Sequence, residues 1–255
     1  MKQPPPLIPF YLYESLTWLT GRHSERLRLW FSTLIGRQRT RTRVAESQYW
    51  LKFEAFRTAS SICDPTAVWL WRSLSNACPK VIVEFGTGFS TFVIASFAEQ
   101  RFLADQQKPA VISLEHNTFW FGKQQRLLAE ANLCKTVHLI HSVIGKQAYF
   151  GNEVMCYRAA ESAVSVAKVQ GGADFVFVDG PPATVYGGVG RHGSILQAVS
   201  ICKQGGTILI HDALRKEEYS AIRAFNYDRR VPFACYGIVP VRNGLAICKK
   251  AFDEE

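Results

Sequence analysis

The segment Val81-Ile82-Val83-Glu84-Phe85-Gly86-Thr87-Gly88-Phe89-Ser90-Thr91 constrains this chain more than any other. A β-branched apolar run meets an acid, two glycines follow one residue apart, and Ser-Thr then opens a helical pattern. Strands buried on both faces read as continuous apolar runs, so this one belongs inside a parallel sheet. The glycines let the backbone turn tightly and approach a ligand with no Cβ in the way. The helix N-terminus that follows presents unpaired N–H groups. Such a junction lies against a nucleotide-type cofactor.

The same punctuation recurs downstream. The pattern predicts strands at 110–115, 136–140, 175–179 and 207–211, and helices at 90–104, 119–132, 191–203 and 217–227. Segments 233–239 and 245–249, joined by a Pro/Gly-bounded turn, read as a closing antiparallel pair. Between 141 and 172 only a helical pattern near 157–170 stands out. Strands alternating with helices give an α/β fold whose parallel sheet is covered on both faces. Ligands of such sheets bind at the carboxyl ends of the strands, where the strand order reverses.

Residues before this body differ in character. Positions 1–80 hold 12 Lys/Arg against 5 Asp/Glu, whereas 81–255 hold 18 against 16, so most of the net +9 lies in the N-terminal part. We divide the chain into a basic, aromatic-rich helical extension over 1–75 and an α/β domain over 76–255. Residues 46–76 read as one or two helices broken at Asp64-Pro65. Arg22–Arg43 holds seven arginines and one acid, with Trp18, Trp30 and Phe31 nearby. Three readings fit it: a solvated helical cap, contact with an anionic membrane surface, or phosphate contact with nucleic acid. No RNA-binding motif is visible, which disfavours the last.

Seven scattered cysteines without a CxxC argue for reduced thiols in a cytosolic compartment, and against a zinc site or disulfide framework. No apolar run approaches the roughly 20 residues of a membrane span. Lys2 followed by Pro4-Pro5-Pro6 and Glu14 makes a poor signal peptide. The expected location is cytoplasmic, with the arginine-rich segment as a route to a membrane periphery.

A dinucleotide fold would carry GxGxxG directly after its first strand, and here the third glycine is missing. The later match at Gly188, Gly190 and Gly193 lies well past its strand and reads as a flexible loop over Tyr186–Gly193. Glu84-Phe85-Gly86-Thr87-Gly88-Phe89-Ser90-Thr91 instead resembles the E-x-G-x-G first motif of class I S-adenosylmethionine-dependent methyltransferases. Val111-Ile112-Ser113-Leu114-Glu115-His116 looks like their second strand. Phe175-Val176-Phe177-Val178-Asp179-Gly180-Pro181 looks like their fourth, and Gln204-Gly205-Gly206-Thr207-Ile208-Leu209-Ile210-His211-Asp212 resembles their helix-to-fifth-strand motif. The resemblance covers about residues 75–250.

That resemblance implies a three-layer Rossmann-like sheet, S-adenosylmethionine as cofactor, and methyl transfer. Gly86, Thr87 and Gly88, with Ser90 and Thr91 behind them, would lie against the methionine part. Glu84 would face its ammonium group, directly or through water. Glu115, with His116 beside it, would accept the two ribose hydroxyls, a charge-assisted arrangement. Ser142 would border the adenine, and Asp179 closes the cofactor set.

Asp179 and Asp212 end neighbouring strands, and two convergent carboxylates suit Mg²⁺ or another hard divalent ion. The layout resembles the metal-dependent catechol-type O-methyltransferases. It departs from them at Ala213, where that subgroup has an amide ligand, and in the length of the first turn. His211 offers a metal-free alternative as general base, against a simple strand-end role. Arg191 either holds an anionic substrate group or pairs with a surface acid, and Arg215 is similarly open. The expected function is O-methylation of a small molecule or saccharide, with Asp179, His211 and Asp212 as the catalytic set. The alternative is a non-catalytic methyltransferase-like binding protein acting through its basic N-terminal region. A nicotinamide-dependent oxidoreductase is disfavoured by the missing glycine.

Overall fold

The computed structural model describes residues 7–19, 48–105, 108–166, 172–182 and 190–252. The arginine-rich stretch Arg22–Arg43 and most of the glycine-rich loop after Pro182 lie outside them. The chain opens with β1 (Ile8–Pro9) and α1 (Phe10–Leu19), followed after the gap by a 3₁₀ turn at Leu51–Phe56. Next come α2 (Asp64–Ala77), β2 (Val81–Phe85), α3 (Phe89–Asp105), β3 (Ala110–Glu115), α4 (Thr118–Glu130) and β4 (Val137–His141). A hairpin of β5 (Ile144–Tyr149) and β6 (Asn152–Tyr157) leads to α5 (Ala160–Val166) and β7 (Ala173–Val178). The remainder is α6 (Gly190–Ile201), β8 (Cys202–His211), α7 (Lys216–Tyr227), β9 (Phe233–Val239) and β10 (Leu245–Lys250).

The main sheet runs β4-β3-β2-β7-β8-β10-β9-β1. From β4 to β8 all neighbours are parallel, and β10, β9 and β1 then pair antiparallel. The expected α/β sheet with its closing antiparallel pair is therefore present. The order reverses at β2, which has β3 on one side and β7 on the other. That reversal places the crevice at the ends of β2, β3, β7 and β8.

Two apolar layers sandwich the sheet, as a period of two along buried strands requires. Val81, Val83 and Phe85 face a core shared with Ile195, Leu196, Ile222 and Phe225. Ile82, Phe175, Phe177 and Leu209 face the opposite core, built with Leu70, Trp71, Phe92 and Val93. Asp64-Pro65 starts α2, because proline in the first turn forfeits no helical hydrogen bond. Among the described residues no helix is long and apolar enough to cross a membrane.

Two readings are corrected. Residues 144–157 form an antiparallel hairpin, and the helix expected near 157 begins only at Ala160. Gly190 and Gly193 belong to the first turn of α6 rather than to a loop. An added Cβ at Gly193 would lie 1.9 Å from the Met155 carbonyl oxygen, so glycine lets α6 press against β6.

Candidate active site

At the carboxyl ends of the central strands lies a cavity of about 480 Å³, within the range of small-molecule sites. The β2–α3 turn forms one wall. Gly86 has φ +84°, and an added Cβ would come within 2.9 Å of the Gly180 backbone. Gly180 would in turn place a Cβ 2.8 Å from Gly86 Cα. The ends of β2 and β7 are thus pressed back to back, and glycine is required on both sides. An added Cβ at Gly88 would meet nothing within 4 Å, so this residue offers its open face to the cavity.

Glu84 does not face that cavity. It is fully buried on the α3 side of the sheet, where Ser90 Oγ donates to Oε1 at 2.5 Å. Thr91 Oγ1 and Ser113 Oγ both donate to Oε2 at 2.7 Å. The β2–β3 register sets Glu84 opposite Ser113, and the tight turn brings the α3 hydroxyls back over it. Glu84, Ser90 and Thr91 therefore clamp the turn from behind, and none of them lines the cavity. Burial lifts the Glu84 carboxyl from 4.5 to about 7, against three hydroxyls that favour its charge.

Glu115 ends β3 at the cavity edge. Its Oε2 accepts from the Thr87 N–H at 3.1 Å and hydroxyl at 3.0 Å, and its Oε1 from the Asn117 N–H at 2.8 Å. Burial opposes its charge, yet the bonds from His116 and these backbone groups outweigh it and hold the carboxyl low. A carboxylate has about four acceptor sites, and these donors together with His116 Nδ1, 3.1 Å from Oε1, occupy them, so a ligand hydroxyl would take the place of a side-chain donor such as the Thr87 hydroxyl. Thr87 and His116 line the cavity. Ser142 does not: it is buried, and its hydroxyl accepts from the Ala159 N–H at 2.9 Å. The cavity instead has Tyr157, stacked on Phe85 with ring centroids 5.3 Å apart. Tyr157 comes from the unpredicted hairpin, and no motif in the sequence marks it.

Asp179, His211 and Asp212 converge as the sequence suggests, with donor atoms within 4.8 Å of one another. His211 Nδ1 lies 2.7 Å from Asp179 Oδ1. Burial disfavours the charge on both groups, but their mutual attraction prevails. It holds the Asp179 carboxyl low, with Arg191 assisting, and lifts His211 above its ordinary value. Asp212 sits in the left-handed region at φ +57°, a conformation that Asp tolerates better than most residues. The Asn243 amide holds it there, donating to Oδ1 at 2.9 Å.

Arg191 is neither on a surface nor free to grip a substrate. It is 4% exposed. Its Nη1 donates to the His211 carbonyl at 2.6 Å and its Nη2 to the Asp179 carbonyl at 3.0 Å. The same Nη2 lies 3.2 Å from both Asp179 Oδ1 and Asp212 Oδ2. Arg215 Nη2 reaches Asp212 Oδ2 at 2.8 Å. His192 points elsewhere, edge-on to the Phe225 ring. Lys123 and Arg242 stand at the cavity wall, and Lys123 lies over Trp120.

No family model and no curated protein matches this sequence. Solved structures do match. The SAH-bound methyltransferase PaMTH1 of Podospora anserina aligns with TM-score 0.56 at 13% identity, over 91% of this chain and 98% of that one. An O-methyltransferase of Bacillus cereus in complex with SAH gives 0.54 at 14%, over 89% and 98%. The O-methyltransferase TomG of Streptomyces achromogenes, solved with SAM, gives 0.51 at 14%, over 91% and 100%. The fold of this chain is the Rossmann-like methyltransferase fold.

Proposed function

We propose that this chain is an S-adenosylmethionine-dependent methyltransferase acting on an oxygen of a small-molecule acceptor, a saccharide hydroxyl included. One observation carries the reading: the Gly86–Gly88 turn, Glu115 and the Asp179–His211 pair all border the same cavity. Similar structures that hold SAM or SAH support the choice of cofactor. The residues present fit it. Gly88 is open toward the cavity, Glu115 stands at its edge where a ribose diol would replace the Thr87 hydroxyl as donor, and Tyr157 gives an aromatic wall.

When bound, S-adenosylmethionine supplies a methyl group carrying the electrophilic character of its sulfonium. The chain provides orientation and a base. Asp179 Oδ1 accepts from His211 Nδ1, which fixes the proton on that nitrogen and leaves Nε2 basic. His211 would take the acceptor hydroxyl proton as the oxygen gains the methyl carbon and the carbon–sulfur bond of the sulfonium breaks, leaving a neutral thioether. Ser60, Ser61, Trp120 and Arg242 bound the cavity around the acceptor. Their mixture of hydroxyls, one ring and one cation suits a polar small molecule.

The test is calorimetric titration of the full chain with S-adenosylmethionine, S-adenosylhomocysteine and NAD. Both adenosyl compounds should bind and NAD should not. Absence of binding by both adenosyl compounds ends this reading.

A further inference from the structure

Two carboxylates at the ends of adjacent strands repel each other, and burial sharpens that repulsion. A divalent ion is one remedy, and the spacing of Asp179, His211 and Asp212 has the size of a metal site. The groups do not fit one. Asp179 Oδ1 and Asp212 Oδ2 are both already 3.2 Å from Arg191 Nη2, which bridges the two carboxylates. Asp212 Oδ2 also receives Arg215, and its Oδ1 receives the Asn243 amide. His211 Nδ1 carries the proton of its bond to Asp179, so only the Nε2 lone pair of that ring is left for an ion. Ala213, next in the chain, adds no side-chain donor. A dication placed there would displace protonated partners and sit against two guanidinium groups.

We propose that Arg191 is the resident cation of this site, its guanidinium standing where a divalent ion would bridge Asp179 and Asp212, so that the chain works without metal. Arg191 is then a positioning residue: it touches no reacting atom, and it holds Asp179 in place against His211. Its planar fork of donors suits the task better than an ammonium would. One arm is fixed by the His211 carbonyl and the other by the Asp179 carbonyl. The guanidinium is thereby anchored to the backbone at the ends of both β7 and β8, as well as to their carboxylates. Below it, Glu218 is buried with Oε1 3.7 Å from Arg191 Nε, a third acid facing the same cation. Gly193 belongs to the same first turn of α6, and only without a Cβ there does that turn lie this close to the Met155 carbonyl of β6.

The statement about turnover rests on the methyltransferase reading; the statement about ion binding does not. Mn²⁺ titration of the full chain, followed by electron paramagnetic resonance, tests the second directly. The wild type should show no saturable Mn²⁺ binding. Arg191→Ala, once circular dichroism shows it folded, should bind one ion per chain, and Asp212→Asn in the same background should abolish that gain. Arg191→Lys keeps a cation in place and should stay without Mn²⁺. If Arg191→Ala does not fold, the wild type and Arg191→Lys decide, and both must refuse the ion. Saturable binding by the wild type that disappears in Asp212→Asn overturns the proposal, as does a folded Arg191→Ala that binds nothing. S-adenosylhomocysteine titrations on the same samples separate the two readings. Wild type that takes neither ligand nor ion sinks only the methyltransferase assignment, and wild type that takes both sinks only the cation assignment.

Discussion

Glu84 is an acid with no solvent contact, in a motif whose resemblance to methyltransferases suggests contact with a ligand. Its neighbours explain the difference. Along β2, Val83 and Phe85 face one core and Glu84 the other, so its carboxyl lies under α3 rather than under the ligand. There Ser90, Thr91 and Ser113 satisfy it, three hydrogen bonds that tie the turn, the helix and the neighbouring strand together. Sequence shows the acid, the turn and the Ser90 and Thr91 hydroxyls of the motif. It does not show which way a strand faces until the covering helices are placed. Burial has a consequence for pH. The folded chain holds the Glu84 proton up to about pH 7, whereas the unfolded chain releases it near 4.5. The stabilisation from that proton is full below 4.5 and fades as pH rises through 7, a change on the order of 3 kcal/mol. Glu84→Gln, a neutral near-isostere, removes this dependence. Urea midpoints of the two proteins should converge at pH 5 and part by pH 8, with the wild type the lower relative to its own acid-side value. Parallel curves from pH 5 to 8 would show that Glu84 is ionised throughout. S-adenosylhomocysteine affinity should fall only modestly, because the residue reaches the ligand through the turn.

At the level of elements, the parallel strands were the legible part, since β2, β3, β7 and β8 are mainly apolar runs with Glu, Asp or His at or next to their ends, beside a turn. The β5–β6 hairpin was not. Its strands mix Gly145, Lys146 and Gln147 with Glu153, and no clean alternation survives. Two-residue hairpin turns with both central residues at positive φ usually announce themselves as Asn-Gly. Here Phe150 and Gly151 hold those positions, at φ +49° and +77°, and Phe carries no such signal. The missed hairpin matters because it supplies Tyr157 to the cavity and the Met155 carbonyl against which α6 packs. Arg191 was visible in the sequence but not its burial, which depends on that packing. Gly193→Ala tests the contact. The new methyl group must push α6 or β6 away, at a cost of about 1–3 kcal/mol by the measure of overpacked cores. Gly88→Ala is the counterpart: its Cβ enters open cavity. Thermal denaturation should show a lower midpoint for Gly193→Ala and little change for Gly88→Ala. Calorimetry should show weakened S-adenosylhomocysteine binding for Gly88→Ala. Equal stability of the two variants would refute the close packing of α6 on β6.

Across the whole molecule, the segments before Val81 take part in both layers of the core. Trp50 and Phe53 join the α2–α3 side, where Trp50 meets Trp71 and Phe53 meets Phe92. Phe10 and Tyr13 join the other side and pack on the Tyr219 ring, with centroids 6.2 and 5.4 Å away. Ile8–Pro9 adds a short strand to β9 and so covers the open edge of the sheet. Exposed edges invite pairing between chains, and a two-residue strand containing proline is a blunt terminus that offers little to extend. Glu14 fastens the arrangement to α7 by accepting from Arg223 Nε at 3.1 Å and from the Tyr227 hydroxyl. These contacts are far from the chemistry, since the cavity draws no lining residue from 7–19. Stability and ligand affinity should therefore separate when the first 19 residues are removed. Two buried aromatic side chains and their partner surfaces return to water, a loss of roughly 3–6 kcal/mol at about 1.5–3 kcal/mol for each. The urea midpoint should fall accordingly, and light scattering should report association through the uncovered β9. S-adenosylhomocysteine affinity, measured well below the new midpoint, should stay near that of the full chain. A truncated chain as stable as the intact one would mean that α1 merely rests on α7, and loss of affinity without loss of stability would tie this segment to the cavity.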